Sequence, residues 1–225
     1  MPPKKTGNKT NAQSKSALRR QREREKRYQT ILQAAERLFA REGFHKASME
    51  QIADAAEVSV GAVYFYFKNK EDLLIRMMDE IGHLLRTILG REFNAYGATM
   101  EGFKRAGYAF FEDFCTNHPE RAAIFFRESV GKSTLVEKRR KELFDKCTSD
   151  VLNALNTVCE NQGLRFKGRL SAEVIAVSIM GIYERVAYHY LLWQNNTEDL
   201  KDIGRDAVAF IVGGVNNLFA APENQ

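Results

Sequence analysis

Residues 48–70 read SMEQIADAAEVSVGAVYFYFKNK, and this stretch decides how the rest of the chain is read. Ser48 followed three residues later by Gln51 is a capping box, in which the hydroxyl accepts the Gln51 backbone N–H and the Gln51 side chain reaches back to the Ser48 backbone. A helix therefore opens at Ser48, with Met49, Ile52 and Ala53 on its inward face. Ala56-Glu57-Val58 makes a turn. Ser59 can cap a second short helix running to about Phe65, with Val58 and Val63 entering the core. Asn69 is a further cap, followed by Glu71 and Asp72 where a helix dipole favours anions, and this helix is expected to reach about Leu89.

Working outward, Tyr28, Ile31, Leu32, Ala35, Leu38 and Phe39 recur at helical spacing before the stop signal Gly43, which predicts a first helix over about 22–42. Ahead of it, residues 1–18 are rich in Lys, Asn, Ser and Thr and are expected to be a disordered basic arm. Residues 1–28 hold ten Lys/Arg against two Glu, net +8, within a chain whose formal charge is +5. A basic front on a mildly acidic body suggests a polyanionic partner met at one end.

Downstream, Gly97 and Gly102 read as breaks. A helix follows through Phe103, Phe110 and Phe114 to the boundary at His118-Pro119. Further helices are expected over 120–128, 135–162, 172–195 and 200–219. No β-type alternation of any length occurs. The prediction is an all-α chain of about nine helices: an N-terminal three-helix domain at 19–75 and a C-terminal helical domain at 76–225.

Two short helices joined by a three-residue turn, packed on a longer first helix, have the form of a helix-turn-helix. The second helix of such a motif enters the major groove while helix N-termini and basic side chains hold phosphates. The segment 27–75 also resembles the DNA-binding segment of the TetR (tetracycline repressor) family. The matching residues are Leu38, Phe39, Gly43, Ser48, Ile52, Ala53, Ala56, Val58, Ser59, Gly61, Tyr64, Phe67, Lys70 and Leu73. The resemblance implies that Ser48, Tyr64 and Lys70 contact the DNA backbone. It also implies that Ser59, Val60, Gly61, Ala62 and Phe65 lie at or near the groove. Three residues depart from the family pattern: Glu57 where glycine is common, Val60 for a frequent lysine, and Phe65 for a residue often polar. The reading helix is thus unusually apolar, which favours thymine methyl contacts and shape over bidentate hydrogen bonds.

The resemblance further implies that 19–75 is a helix-turn-helix DNA-binding domain and 76–225 a ligand-sensing and dimerisation domain, the whole acting as a homodimer on a palindromic double-stranded operator, released by a small-molecule effector, with repression the commoner outcome. In the body, Ile175, Ile179, Ile182, Val186, His189 and Trp193 line one face of a helix that is apolar nearly all round. Ile203, Ala207, Phe210, Gly214 and Leu218 recur along the last helix, and these two helices are the expected dimer bundle. The dense aromatics suggest a mostly apolar or acyl-type effector bound by Phe110, Phe114, Phe126, Tyr183, Arg185, Tyr188, His189 and Trp193.

Cys115, Cys147 and Cys159 form no Cys-x-x-Cys and the four histidines are scattered, so neither a metal nor a cofactor is expected. No nucleophile elbow, phosphate loop or dinucleotide turn is present, so an enzyme is not expected. With no signal peptide and no apolar run long enough for a bilayer, the expected location is cytoplasmic and away from the membrane. A non-specific architectural DNA binder is the alternative reading.

Overall fold

The computed structural model describes residues 9–220, and the chain separates into two compact units, Met1–Leu73 and Leu74–Gln225. Among the described residues there are nine α-helices and no β-sheet. In the first unit α1 spans Lys9–Glu42, α2 Met49–Ala55 and α3 Val60–Tyr66, and α4, Lys70–Ala95, begins there. The second unit holds the rest of α4, then α5 (Met100–Ala109), α6 (Pro119–Ala123), α7 (Thr134–Gln162), α8 (Ser171–Ala187) and α9 (Leu200–Asn217). Helices α5, α6 and α8 each continue into a wider π-helical turn, at Phe110–Cys115, Ile124–Glu128 and Tyr188–Trp193.

The first unit is built on one stripe of α1. Ile31, Leu32, Ala34, Ala35, Leu38 and Phe39 are buried, and against them lie Met49, Ile52 and Ala53 of α2, then Val63 of α3, with Phe67 and Leu73 closing the core. The apolar spacing read in the sequence is therefore the packing face. In the second unit the fully buried rings of Phe111, Phe114, Phe125 and Phe126 form the centre. Around them α5 packs on α9, α7 on α8, and α8 on α9. Gly204 lets α9 press on the Phe111 ring, because a Cβ there would lie 2.6 Å from the Phe111 Cβ.

Three expectations are corrected. The helix predicted from about residue 22 starts at Lys9, so residues 9–18 of the expected disordered arm are helical, while the first eight lie outside the described residues. Stretches rich in Ala, Gln, Lys, Arg and Glu have high intrinsic helix propensity even without an apolar face. Helix α4 continues through Gly90 to Ala95 rather than ending near Leu89. Gly102 is not a break: Thr99 caps α5, its hydroxyl accepting the Gly102 N–H at 3.3 Å, and a Cβ at Gly102 would lie 2.6 Å from the Phe93 carbonyl oxygen.

In the turn between α2 and α3, Glu57 has φ 55°, in the left-handed region that costs a residue with a side chain on the order of 1 kcal/mol. Glycine adopts that conformation freely but loses more entropy on folding, so the two effects partly offset. Glu57→Gly is expected to stabilise the domain by about 0.5–1 kcal/mol in urea unfolding, and destabilisation would refute the strain.

Candidate functional site

The reading head is assembled by local caps. Ser48, in extended conformation, accepts the Gln51 N–H at 3.2 Å, and its own N–H donates to Gln51 Oε1 at 2.8 Å. Glu50 sits in the same first turn, and bonds from its backbone and from the Ser48 hydroxyl hold its carboxyl below the usual range. This helix end therefore already has a carboxylate at hand. Ser59 caps α3, accepting the Ala62 N–H at 3.2 Å. Asn69 Oδ1 accepts the Asp72 N–H at 2.8 Å, and Asp72 Oδ2 accepts the Lys68 N–H at 3.0 Å, which fixes the chain between α3 and α4.

Along α3 only Val63 is buried. Val60 and Ala62 are half-buried and Gly61 is open, the nearest atom to a Cβ built there being the Ser59 hydroxyl at 4.0 Å. Tyr64 is 50% exposed and Phe65 67% exposed, large apolar surfaces that a solitary domain has no reason to present side by side. Ser59, Val60, Gly61, Ala62, Tyr64 and Phe65 thus occupy one short helix and its cap, with two aromatic rings outward.

Lys70 has a different setting from a free phosphate contact. Its ammonium donates to the carbonyls of Ala47 at 2.8 Å and His45 at 3.1 Å, and it lies 4.6 Å from the centre of the Phe44 ring. One cation ties the loop between α1 and α2 to the start of α4.

The second unit contains a cavity of about 510 Å³, within the range that holds small organic ligands. Of the eight residues expected to bind an effector, Phe110, Phe126 and Tyr183 line it. Tyr183 stacks on Phe110 at 4.7 Å with the rings 15° apart, and burial pushes its phenol above the ordinary range. A Cβ on Gly107 would overlap the Tyr183 hydroxyl and lie 2.8 Å from Val208, so this close packing requires glycine.

The other five lie off this cavity. Phe114 is fully buried in the core rather than on the cavity wall. Arg185 lies 4.4 Å above the exposed Trp193 ring, and Tyr188 and His189 meet that ring edge-on at 5.2 and 5.8 Å, away from the cavity. Two residues along a helix are 200° apart, so Tyr183 facing inward turns Arg185 outward.

Most of the lining residues that escaped sequence reasoning come from α4, α5 and α7, with Met180 from α8. His83, Arg86, Gly90 and Phe93 on α4 and Cys147, Asp150, Ala154 and Thr157 on α7 follow the same 3-4-3 spacing, which is the signal that could have found them. Arg86 makes two hydrogen bonds to Asp150, with Nη2 to Oδ1 at 3.0 Å, and the two side chains are 40% and 45% exposed. Cys147, beside this pair, is pushed up to about 11 by burial, with Asp150 adding to the rise and Arg86 opposing it. Glu184, also on the wall, accepts a hydrogen bond from Arg140 Nη2 at 2.9 Å, while Arg140 Nε is buried without a partner. The wall is therefore mostly apolar with two ion-paired carboxylates.

On the outer side of α8 and α9, Val174, Val177 and Phe210 are exposed, Phe210 at 73%, and Gly181, Gly213 and Gly214 have no atom within 4 Å of a built Cβ. Among the described residues no group of three or more His, Cys, Asp or Glu is placed to hold a metal ion, and no helix is long and apolar enough to cross a membrane.

A capped two-helix reader in one unit and an all-helical unit with an internal cavity define a helix-turn-helix regulator. Residues 31–77 match the family described as bacterial regulatory proteins, tetR family. The chain is 28% identical over 207 residues to the HTH-type transcriptional regulator AcrR of Shigella flexneri, covering 87% of this chain and 92% of that protein. It is 43% identical over 54 residues to the fatty acid metabolism regulator protein of Bacillus subtilis, a match that covers 24% of this chain and only 28% of the relative's length. The crystal structure of the transcriptional regulator FadR from Bacillus subtilis in complex with stearoyl-CoA has the same fold, with a TM-score of 0.70 at 20% identity over 83% of this chain and 98% of that one. Through residues 31–77 the chain carries the DNA-binding domain of the tetR family of bacterial regulatory proteins, and over most of its length it is similar to transcriptional regulators of that kind.

The geometry at Lys70 makes a prediction independent of DNA. Lys70→Ala removes two charged hydrogen bonds, one to the part-buried Ala47 carbonyl and one to the exposed His45 carbonyl, and is expected to lower the unfolding free energy by about 2 kcal/mol in thermal denaturation of the free protein. Unchanged stability would leave Lys70 with no structural role.

Proposed function

We propose that this chain is a ligand-responsive transcriptional repressor that binds a palindromic operator as a homodimer and is released by a mostly apolar small molecule. The observation that carries this reading is the presence in one chain of an outward-facing reading helix and a separate small-molecule cavity of about 510 Å³. Ser48, Ser59, Val60, Gly61, Ala62, Tyr64 and Phe65 are the proposed DNA-contacting residues, and Lys70, which ties the head together through the Ala47 and His45 carbonyls, is proposed as a further backbone contact. With no catalytic motif in the chain, the reading is a binding function, exercised in the cytoplasm.

The cavity supports an amphipathic effector. Phe103, Phe110, Phe126 and Ile179 offer an apolar wall, and the Arg86–Asp150 pair offers a polar end where an incoming head group exchanges for one partner. An acyl-type molecule fits that arrangement, and a relative named for fatty acid metabolism and a similar fold solved with stearoyl-CoA support the choice. Differential affinity of the effector for two arrangements of the body would weaken operator binding by a coupling of typically ~1–3 kcal/mol.

The exposed Val174, Val177 and Phe210 with the open glycines of α8 and α9 support a two-fold bundle of these helices, since small residues let helix backbones approach and the large ones fill the space between. An architectural DNA binder is the second reading, favoured by the basic front of α1. Footprinting on duplexes selected from genomic fragments separates them: a regulator protects a short palindrome, and sequence-tolerant protection would sink the repressor.

Two variants test the parts. Phe210→Arg is expected to shift sedimentation at micromolar concentration from dimer to monomer, and a dimer that survives it would move the interface elsewhere. Ala106→Trp places a large ring in the cavity and is expected to leave operator affinity within about threefold while abolishing release by a long-chain acyl thioester; retained release would place the effector outside the cavity.

A further inference from the structure

The stripe of α1 that packs the first unit does not stop where the core stops. Ala35 and Ile31 are buried, Tyr28 is half-buried, and one helical turn at a time the same stripe continues as Arg27, Arg24 and Arg20. The apolar face turns cationic at the edge of the domain. Residues 15–27 hold seven Lys/Arg against Glu23 and Glu25, and all thirteen positions are exposed. Helical contacts within this segment are slight: the Arg19–Glu23 pair at 3.4 Å is largely exposed, a type that contributes a few tenths of a kcal/mol at most.

What the cationic stripe touches is the reading helix. The Arg24 guanidinium lies 5.3 Å from the centre of the exposed Phe65 ring. One turn later Tyr28 stacks on Phe67 at 5.2 Å and meets Tyr66 edge-on at 6.3 Å. The front of α1 is thereby held across the end of α3, on the side where Tyr64 and Phe65 face outward. A helix rises 1.5 Å per residue, so the segment from Tyr28 back to Lys15 spans roughly 20 Å, about six base pairs of B-DNA at ~3.4 Å each.

Resting on the DNA-binding reading above, we infer that the front of α1 is a second DNA-contacting element: Arg20, Arg24 and Arg27 form a rigid cationic ridge that continues the surface of α3 onto the phosphates flanking each operator half-site. The occupant is double-stranded DNA because the ridge is contiguous with the reading helix and its charge complements phosphate. A helix presents these three cations in one direction, whereas a flexible tail presents all its charges alike.

That directionality is the test. The triple variants Arg20→Ala/Arg24→Ala/Arg27→Ala and Arg19→Ala/Arg22→Ala/Lys26→Ala each remove three positive charges, from the α3-facing side and the opposite side of the same helix. All six residues are exposed, so neither variant is expected to unfold the domain. Binding to a duplex selected by the full chain from a random library is measured against salt concentration, with flanks of ten base pairs and with the flanks trimmed. The first variant is expected to lose roughly 2–3 units of salt slope per protomer, at ~0.9 per phosphate contact, and to become insensitive to trimming, while the second behaves as the full chain. Equal losses in both variants, or none in either, would overturn the ridge. If Tyr64→Ala still abolishes binding in that case, the DNA-binding reading survives without it. Selection of no duplex by the full chain would end both.

Discussion

A seven-residue helix cannot hold its own direction. Nucleating a helix is unfavourable and so short a one has little propagation to offset that, so α3 takes its stability from what it is packed and capped by. It buries one side chain, Val63, is closed at one end by the Ser59 hydroxyl, and is followed at once by the fully buried Phe67. Lys70 then pins the start of α4 to the loop between α1 and α2 through two carbonyls. Everything the reading head presents outward depends on this small set of inward ties. The outward residues are free to vary because none of them carries the packing.

The two units divide the physical work differently. In the first, charge and capping bonds over a few residues set geometry. In the second, ring packing does so, with Phe125 and Phe144 stacked at 5.2 Å and Phe110 lying between Tyr183 and Phe126. Two of its three π-helical turns begin at or contain cavity-lining rings, Phe110 and Phe126. Wider turns of this kind are rare and frequently occur at functional sites. The ion pairs Arg86–Asp150, on the cavity wall, and Arg139–Asp79, outside it, both connect α4 to α7.

Elements set by local chemistry were legible in the sequence. Ser48, Ser59 and Asn69 are short-range caps whose partners lie three residues away, and they bound the reading helices in the structure as their spacing requires. The boundary at His118-Pro119 was readable for the same reason. The cavity was less so. Arg185, His189 and Trp193 attracted notice as polar or large side chains in an apolar helix, but both sides of α8 are apolar and only one faces inward. Many wall residues of α4 and α7, such as Arg86, Thr87, Asp150 and Asn153, are polar and resembled a solvated surface until the two helices were brought together. Lys70 shows the limit in another way, since no spacing rule reveals that a lysine will fold back onto carbonyls 23 and 25 residues earlier.

Gly107 has a consequence for how such a sensor could change over generations. Every single-nucleotide change from a glycine codon that yields another amino acid adds a Cβ, and here that atom would meet the Tyr183 hydroxyl and Val208. This side of the cavity is therefore mutationally closed: a lineage cannot explore new ligand shapes there without first remodelling α8 or α9. Positions such as Thr87, Asn153 and Thr157 on the facing helices carry exchangeable side chains against open space. Drift in ligand preference would be channelled through α4 and α7, leaving the stacked wall as a fixed template.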